Sequence, residues 1–339
     1  MKNHANIPIF IPHLGCPNQC VFCNQRTISG VTNFDLACVD KQIRSALETI
    51  SCGINTEIAF FGGSFTGIES ELMTELLEIA KPYVRDGRVS SIRCSTRPDY
   101  ITPEILDILK RYSVGTIELG LQSSSDAVLG ASKRGHTSDD EYRACNMIID
   151  SGFNLVGQMM IGLPCSTIDD EIATADFIID SGAKAARIYP TVVFKDTELY
   201  KMAKEGTYSP LSLDDAIARS SKVLDMFDKA GIEVIRIGLC AQDNLFDPEK
   251  YYAGPNHPAL GELVIGELLY NRIRDKLLSS EVYGKKLIIK VPKGMLSKAV
   301  GQKRKNSERL IQEFGFTSVE VAEKERLCNY EFEVEFERK

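Results

Sequence analysis

The chain has 339 residues, 43% of them hydrophobic and 26% charged, with a net charge of −7. This is the composition of a soluble globular protein with one large domain and room for a smaller one. Its acidic balance argues against a globally basic nucleic-acid binder, although a local basic patch is compatible with it. No apolar run approaches the ~18 residues of a membrane span, and the N-terminus lacks a charged, apolar, cleavable signal, so a cytoplasmic location without membrane contact is expected. Ten cysteines are spread along the chain. Cys38, Cys52, Cys94, Cys145 and Cys328 read as small apolar residues in a reducing compartment.

The first predicted element is a short apolar strand, Ile7 to Ile11, which runs into a Gly/Pro loop carrying Cys16, Cys20 and Cys23. Their spacing is C-x3-C-x2-C, with Phe22 just before the third cysteine. Three thiolates on one tight loop suit three irons of a 4Fe–4S cube and leave the fourth iron open, where the amino and carboxylate groups of S-adenosylmethionine can chelate. His13 is a possible fourth ligand for zinc, but three residues before the first cysteine it sits in cramped geometry for a closed tetrahedral site. A disulfide would leave one of three clustered cysteines unpaired. At these residues the sequence resembles the radical SAM superfamily.

Beyond the loop a unit repeats: apolar strand, loop, amphipathic helix, glycine, next strand. Strands are expected at Glu57–Phe61, Ser91–Thr96, Thr116–Leu121, Asn154–Ile161 and Ala185–Tyr189. Helices are expected at Glu69–Lys81 and near 102–112, 139–150, 167–180 and 212–229. Gly115, Gly152, Gly182 and Gly231 stand where left-handed helix caps belong. Short returns between alternating strands and helices imply a parallel sheet with right-handed crossovers. Six βα units by about residue 230 are too few for a closed eight-unit barrel, which needs ~250 residues. The fold class is therefore α/β, a partial (βα)6 TIM-like barrel with 232–238 as an extra strand. The superfamily resemblance implies the same architecture.

Chemistry in such sheets sits at the carboxyl ends of the strands. The second strand leads into Gly62-Gly63-Ser64-Phe65-Thr66, which resembles the superfamily's glycine motif; the resemblance implies that its backbone holds the methionine amino group of the cofactor. Ser95 and Arg97 close the third strand, Gln122 closes the fourth and is followed by Arg134, Gly162 closes the fifth and Arg187 the sixth. An isolated Arg or Gln is more often an ion pair or a satisfied loop residue than a ligand. Recurring at one end of successive strands, these residues form a candidate cofactor-binding set. Arg187 suits a carboxylate, Gln122 and Ser95 suit ribose hydroxyls, and Gly162-Leu-Pro164 suits a flat apolar floor beside adenine. Cys165 and Cys240, just past strand ends, are candidate hydrogen-atom donors or traps against a more ordinary reading as inert buried thiols.

Ser-Thr-Arg-Pro-Asp at 95–99, Glu-Leu-Gly-Leu-Gln-Ser at 118–123 and Lys-Arg-Gly-His-Thr at 133–137, with the motifs above, resemble the radical SAM domain of the Elongator catalytic subunit. More distantly they resemble oxygen-independent coproporphyrinogen oxidases. The resemblance covers about residues 5–265, including Gly254-Pro255-Asn256-His257-Pro258, and implies a tRNA-modifying enzyme. That subunit also carries an acetyltransferase-like domain, for which too few residues remain after 265. Residues 266–339 read instead as a small α+β module. A strand at Lys286–Val291, helices at Lys293–Val300 and Asn306–Phe314, and strands at 317–321 and about 330–336 resemble a KH module around Gly301-Gln302-Lys303-Arg304. The fourth loop position is Arg304 rather than Gly. Residues 285–309 hold nine Lys or Arg against one acid, Glu308, so Lys303, Arg304 and Lys305 are candidate RNA contacts against a plain solvated basic face.

The expected function is a radical enzyme that cleaves S-adenosylmethionine at a 4Fe–4S cluster held by Cys16, Cys20 and Cys23, acting on RNA, in particular tRNA, and fed by an external electron donor such as flavodoxin or ferredoxin. The rivals are a radical enzyme on a small metabolite or tetrapyrrole-like substrate, and a non-catalytic iron–sulfur or zinc RNA-binding protein.

Overall fold

A computed structural model describes residues 4–11, 20–23, 34–51, 53–239 and 247–337. Seven strands form one open, wholly parallel half-barrel sheet. They are β1 (His4–Phe10), β2 (Asn55–Phe61), β3 (Ser91–Thr96), β4 (Val114–Gln122), β5 (Asn154–Ile161), β6 (Ala185–Pro190) and, after the two-residue β7 (Val193–Phe194), β8 (Glu233–Ile237). Their order is β1-β2-β3-β4-β5-β6-β8, so six consecutive units lie side by side and the extra strand takes the end of the row. Each β-helix-β return is long enough for a crossover and brings the chain back parallel to its predecessor. Both faces of such a sheet are covered, and the strands accordingly read as apolar runs: Ile58, Ala59 and Phe60 of β2 are all fully buried. β7 pairs antiparallel with β9 (Tyr251–Ala253).

Sequence and structure differ at instructive places. The helix Ser70–Arg85 continues past Pro82, because Tyr83 is buried and its hydroxyl donates to Asp40 at 2.5 Å. Gly152, Gly182 and Gly231 are left-handed as expected, but Ser113, not Gly115, takes the left-handed conformation before β4. Gly115 lies inside that strand, where an added Cβ would stand 3.0 Å from the Ser91 Cβ. The reading of cysteines as buried small residues holds for Cys94 and Cys145 but not for Cys38, Cys165 and Cys328, which are exposed. Burial pushes the Cys94 and Cys145 thiols up to about 12, which makes them inert. Cys52 and Cys240 lie outside the described residues.

The chain divides into two compact units, Met1–Leu211 with Phe227–Asn256, and Ser212–Met226 with His257–Lys339. The boundary expected after residue 265 falls inside an unforeseen helix, Leu260–Leu277, which belongs to the second unit. In that unit β10 (Lys286–Val291) is central, parallel to β11 (Ser318–Glu323) and antiparallel to β12 (Glu333–Glu337). Leu287, Ile289 and Val291 alternate into a core with Leu269, Ile273, Leu310 and Phe316. Between β10 and β11 run the helices Leu296–Val300 and Lys305–Phe314. The first starts later than expected because Gly294 is left-handed (φ +81°). No helix among the described residues is long and apolar enough to cross a membrane.

Candidate active site at the strand ends

The cysteine loop is fixed where it leaves the site. Val21 N–H donates to the Ser132 carbonyl at 3.2 Å and the Val21 carbonyl accepts from Leu199 N–H at 2.8 Å, while the side chain is buried with Val193, Leu199 and Tyr208. The Cys23 N–H turns back onto the Cys20 carbonyl at 2.9 Å. Cys20 is buried, and two guanidinium groups face its sulfur: Arg134 Nη1 at 3.2 Å and Arg97 Nη1 at 3.8 Å. Arg97 follows directly on β3 and is held by Asp99 through two hydrogen bonds of 2.9 and 3.0 Å and by the Arg134 carbonyl. Arg134 is swung inward by left-handed Lys133 and donates to the Gly120 carbonyl at 2.6 Å. Two N–H donors aimed at one buried sulfur are the kind of outer contact that supports a cysteine ligating iron.

Behind this pair lies a buried His–Glu contact. His136 Nε2 is 3.0 Å from Glu141 Oε1, and Nδ1 is 3.8 Å from Asp99. Burial pushes the His136 imidazole down to about 4, helped by the Arg134 and Arg97 cations; burial also raises the Glu141 carboxyl well above its usual range. An unfolded histidine titrates near ~6.5, so between that value and about 4 the unfolded chain binds the extra proton. The neutral histidine's contribution to stability is complete above ~6.5 and is lost as pH falls toward 4, on the order of 3 kcal/mol in all. Glu141 acts with the opposite sign, so the histidine is isolated by a difference between proteins. From pH 6.5 to 4 the parent should lose more melting temperature than a His136→Gln protein. Parallel curves would show that His136 carries no such linkage.

The glycine motif follows β2. Gly62 has φ +107°, and a Cβ there would lie 2.7 Å from the Ile11 carbonyl oxygen, since Ile11 extends β1 by donating to Phe61. The loop is sewn to the next strand end by Thr66, whose hydroxyl meets Thr96 Oγ1 at 2.6 Å and donates to the Tyr100 carbonyl at 3.0 Å. Ser64 is buried, and Phe65 stacks on Phe60 at 4.7 Å. Ser95 Oγ stands 3.5 Å from the carbonyls of Phe60 and Gly63. Ile11, Phe61, Gly63, Ser64, Phe65 and Ile68 line a small hollow. At Gly62→Ala the clash falls on backbone rather than on a flexible side chain. Strain of ~1–3 kcal/mol is expected, with at least about a tenfold loss of S-adenosylmethionine affinity by calorimetry while iron content persists; unchanged affinity would reduce the motif to a turn.

Gln122 also adopts a left-handed backbone (φ +77°), at a register shift where β4 leaves β5. Such strain in a non-glycine residue costs ~1–3 kcal/mol and concentrates at functional sites. The Gly162 N–H donates to Glu171 at 2.8 Å, and its carbonyl accepts from the Tyr208 hydroxyl at 2.7 Å.

Arg187 belongs to a group that sequence reasoning missed. Across the strands run Glu57, Arg93, Glu118 and Arg187, all buried. Arg93 donates to Glu57 at 2.6 Å and to Glu118 at 2.7 Å. Arg187 Nη2 donates to Glu118 at 2.9 Å, while its Nε lies 2.8 Å from the other oxygen, out of line for a hydrogen bond. Ser91, Thr116 and His4 complete the bonding of Glu57. The available signal was a lone charge inside each apolar strand. Arg187 also lies 5.7 Å from the Phe61 ring and 3.4 Å from the Tyr189 hydroxyl. The structure thus brings Cys20, Arg97 and Arg134 together, and Ser95 to the Gly63 loop, while it commits Arg187 to Glu118. Cys16 lies outside the described residues.

Lys303, Arg304 and Lys305 are exposed in the second unit. Lys303 and Arg304 are left-handed (φ +51° and +65°), so the loop between the helices is sharply turned. Much of the surrounding basic excess is neutralised. Lys286 pairs with Glu320 and Glu337, Lys290 with Glu335, Arg309 with Glu267 and Lys305 with Asp214.

A parallel half-barrel with a cysteine turn, a glycine loop and polar strand ends defines a radical-enzyme scaffold. The chain belongs to the radical SAM superfamily: the model of that superfamily matches residues 10–178 and the Radical_SAM C-terminal domain matches 183–270. It is 34% identical over 137 residues to a tRNA uridine(34) acetyltransferase of Methanocaldococcus infernus, covering 38% of this chain and 25% of that protein. It is 30% identical over 224 residues to an uncharacterized protein of Methanocaldococcus jannaschii, covering 62% and 68%. The solved archaeal Elp3 of Methanocaldococcus infernus, with an N-terminal deletion, superposes with a TM-score of 0.63 at 22% identity, over 83% of this chain and 65% of that one. The chain spans only about a quarter of the tRNA uridine(34) acetyltransferases that it matches. It is a radical SAM enzyme that resembles the Elongator catalytic subunit.

Proposed function

We propose that this enzyme cleaves S-adenosylmethionine reductively and directs the resulting radical onto tRNA. The observation that carries the first half is the pair of cations on the Cys20 sulfur, at the end of the sheet where the superfamily keeps its cofactor. Cys16, Cys20 and Cys23 would hold a 4Fe–4S cluster, and Gly62, Gly63 and Ser64 the methionyl end of S-adenosylmethionine. When bound, the pair supplies a 5′-deoxyadenosyl radical from one electron and the sulfonium, with methionine as the other product. Ser95, Gln122 and Gly162 orient the nucleoside, and Arg187, fixed by Glu118, presents charge beside Phe61 and Tyr189. The buried walls exclude water and stray hydrogen donors from so reactive a species. Its one-electron donor is a flavodoxin or ferredoxin, and its compartment the cytoplasm.

The second half is supported by the relatives' tRNA uridine(34) chemistry and by the sharply turned Lys303–Arg304 loop. Replacing Lys303, Arg304 and Lys305 together with Ala should weaken binding of bulk tRNA several-fold and reduce its salt dependence, since each lost phosphate contact removes ~0.7–0.9 from the logarithmic slope. Uncoupled formation of 5′-deoxyadenosine should not change. The decisive experiment compares 5′-deoxyadenosine and modified nucleosides with and without bulk tRNA after anaerobic reconstitution. Turnover that ignores tRNA, together with a triple variant that binds as the parent does, would make the second unit a structural appendage and favour a metabolite substrate.

A further inference from the structure

We propose that Arg97 and Arg134 tune the reduction potential of the cluster through Cys20, raising it by hydrogen bonding and positive charge at the ligating sulfur. This rests on the reading of Cys20 as a cluster ligand. The two arginines touch the cysteine sulfur rather than any reacting atom, so they are positioning residues.

Three observations carry the inference. Both guanidinium groups direct Nη1 at the same sulfur, Arg134 at 3.2 Å and Arg97 at 3.8 Å. All three side chains are buried, with 6% of Cys20, 4% of Arg97 and 6% of Arg134 exposed, so the field acts through protein rather than water and is weakly screened. Neither guanidinium can swing away. Asp99 grips Arg97 through two oxygens, the Arg134 carbonyl accepts from the same side chain, and the Gly120 carbonyl holds Arg134.

The direction follows from the charge change. Reduction adds one electron to the cluster, taken from a low-potential one-electron donor, and no bond to the protein is made or broken. The added negative charge is delocalised onto the ligating sulfurs. N–H donors and nearby cations therefore stabilise the reduced form, and hydrogen bonds to sulfur and local charge are among the levers that set iron–sulfur potentials. Arg134 has the larger effect, because it is closer and because Asp99 offsets part of the Arg97 charge. The two cations ease electron entry from the donor and moderate the driving force handed to the sulfonium.

The test is an EPR-monitored redox titration of anaerobically reconstituted full-length protein, without S-adenosylmethionine. It compares the parent with Arg134→Gln, Arg134→Lys, Arg97→Gln and Arg97→Lys, with iron and sulfide counted in each. At the potential where half the parent cluster is reduced, Arg134→Gln should show an about tenfold lower ratio of reduced to oxidised cluster, equivalent to a ~59 mV negative shift for one electron. Arg97→Gln should show a several-fold drop, and both Lys variants should titrate near the parent. Parental potentials in fully loaded Gln variants would overturn the proposal, and so would Lys variants that fall as far as the Gln variants. If Arg134→Gln fails to hold iron, Arg97→Gln decides by the same criterion. Loss of the cluster from both Gln variants would assign the arginines to retaining Cys20 and overturn the tuning role. A parent that takes up no 4Fe–4S cluster would instead overturn the ligand assignment on which this inference rests.

Discussion

A Cys20→Ala protein, reconstituted with iron and sulfide in the absence of oxygen, should hold no 4Fe–4S cluster and form no detectable 5′-deoxyadenosine. Three cysteines are the minimum that leaves a single open iron on a cube, so one deletion removes the site rather than weakening it. The substitution also strips the acceptor from two buried guanidinium groups at 3.2 and 3.8 Å, and burying charge without its partner is costly. The fold should nevertheless persist, because the turn is pinned through Val21 and its backbone bonds to Ser132 and Leu199. Cys38→Ala, at an exposed thiol bonded to Asp35 at 3.2 Å, should keep cluster and turnover. Absorption, EPR and iron analysis read the outcome, and an intact cluster spectrum in Cys20→Ala would refute the ligand assignment.

Glu118→Ala is expected to be the most destabilising single replacement in the half-barrel. Glu118 is 1% exposed and bonds to both Arg93 and Arg187, with Gln158 adding a contact at 3.2 Å. Removing one member of a buried ionic set strands the others, at a cost of about 3–5 kcal/mol. For a domain of this size that corresponds to a melting temperature lower by roughly 6–20 °C. Glu118→Gln keeps the shape and one acceptor, and should fall between the parent and the alanine variant. Thermal unfolding followed by circular dichroism gives the ordering directly. If Glu118→Ala melted with the parent, water would have to reach both guanidinium groups, and the barrel interior would not be the dry site described.

The strands were legible where short stretches with apolar residues stood between turn signals, whether buried on both faces as most of β5 or alternating as β10: β3, β5 and β10 match residue for residue. The helix Leu260–Leu277 was not, since Leu260, Val264, Gly266, Leu268, Leu269 and Tyr270 are all buried and leave no narrow stripe to read. The cysteine and glycine motifs stand out as candidates because their spacing is local in the sequence. The Glu57–Arg93–Glu118–Arg187 set was not, because its members lie 25 to 69 residues apart at each bond and meet only through sheet register. For the same reason Arg187 stood out as a ligand candidate while its partner Glu118 passed as part of a strand. The nine basic residues of 285–309 are plain in the sequence, but their pairing across β10, β11 and β12 appears only once the strands are aligned.

Two consecutive helices open alike. Thr137-Ser-Asp-Asp-Glu141 and Thr167-Ile-Asp-Asp-Glu171 each form a capping box, and in each the following glutamate is buried and reaches back to the loop ahead of it. Glu141 holds His136, beyond β4, and Glu171 holds the Gly162 N–H, at the end of β5. Each loop's resting position is thereby copied from a rigid helix start instead of being chosen from its own many conformers. A ligand arriving there has little ordering left to do, and more of its contact energy remains as affinity. Cutting either tether, as in Glu171→Ala, should therefore show first as an entropic penalty on cofactor binding, measurable by calorimetry before any change in the set of contacts.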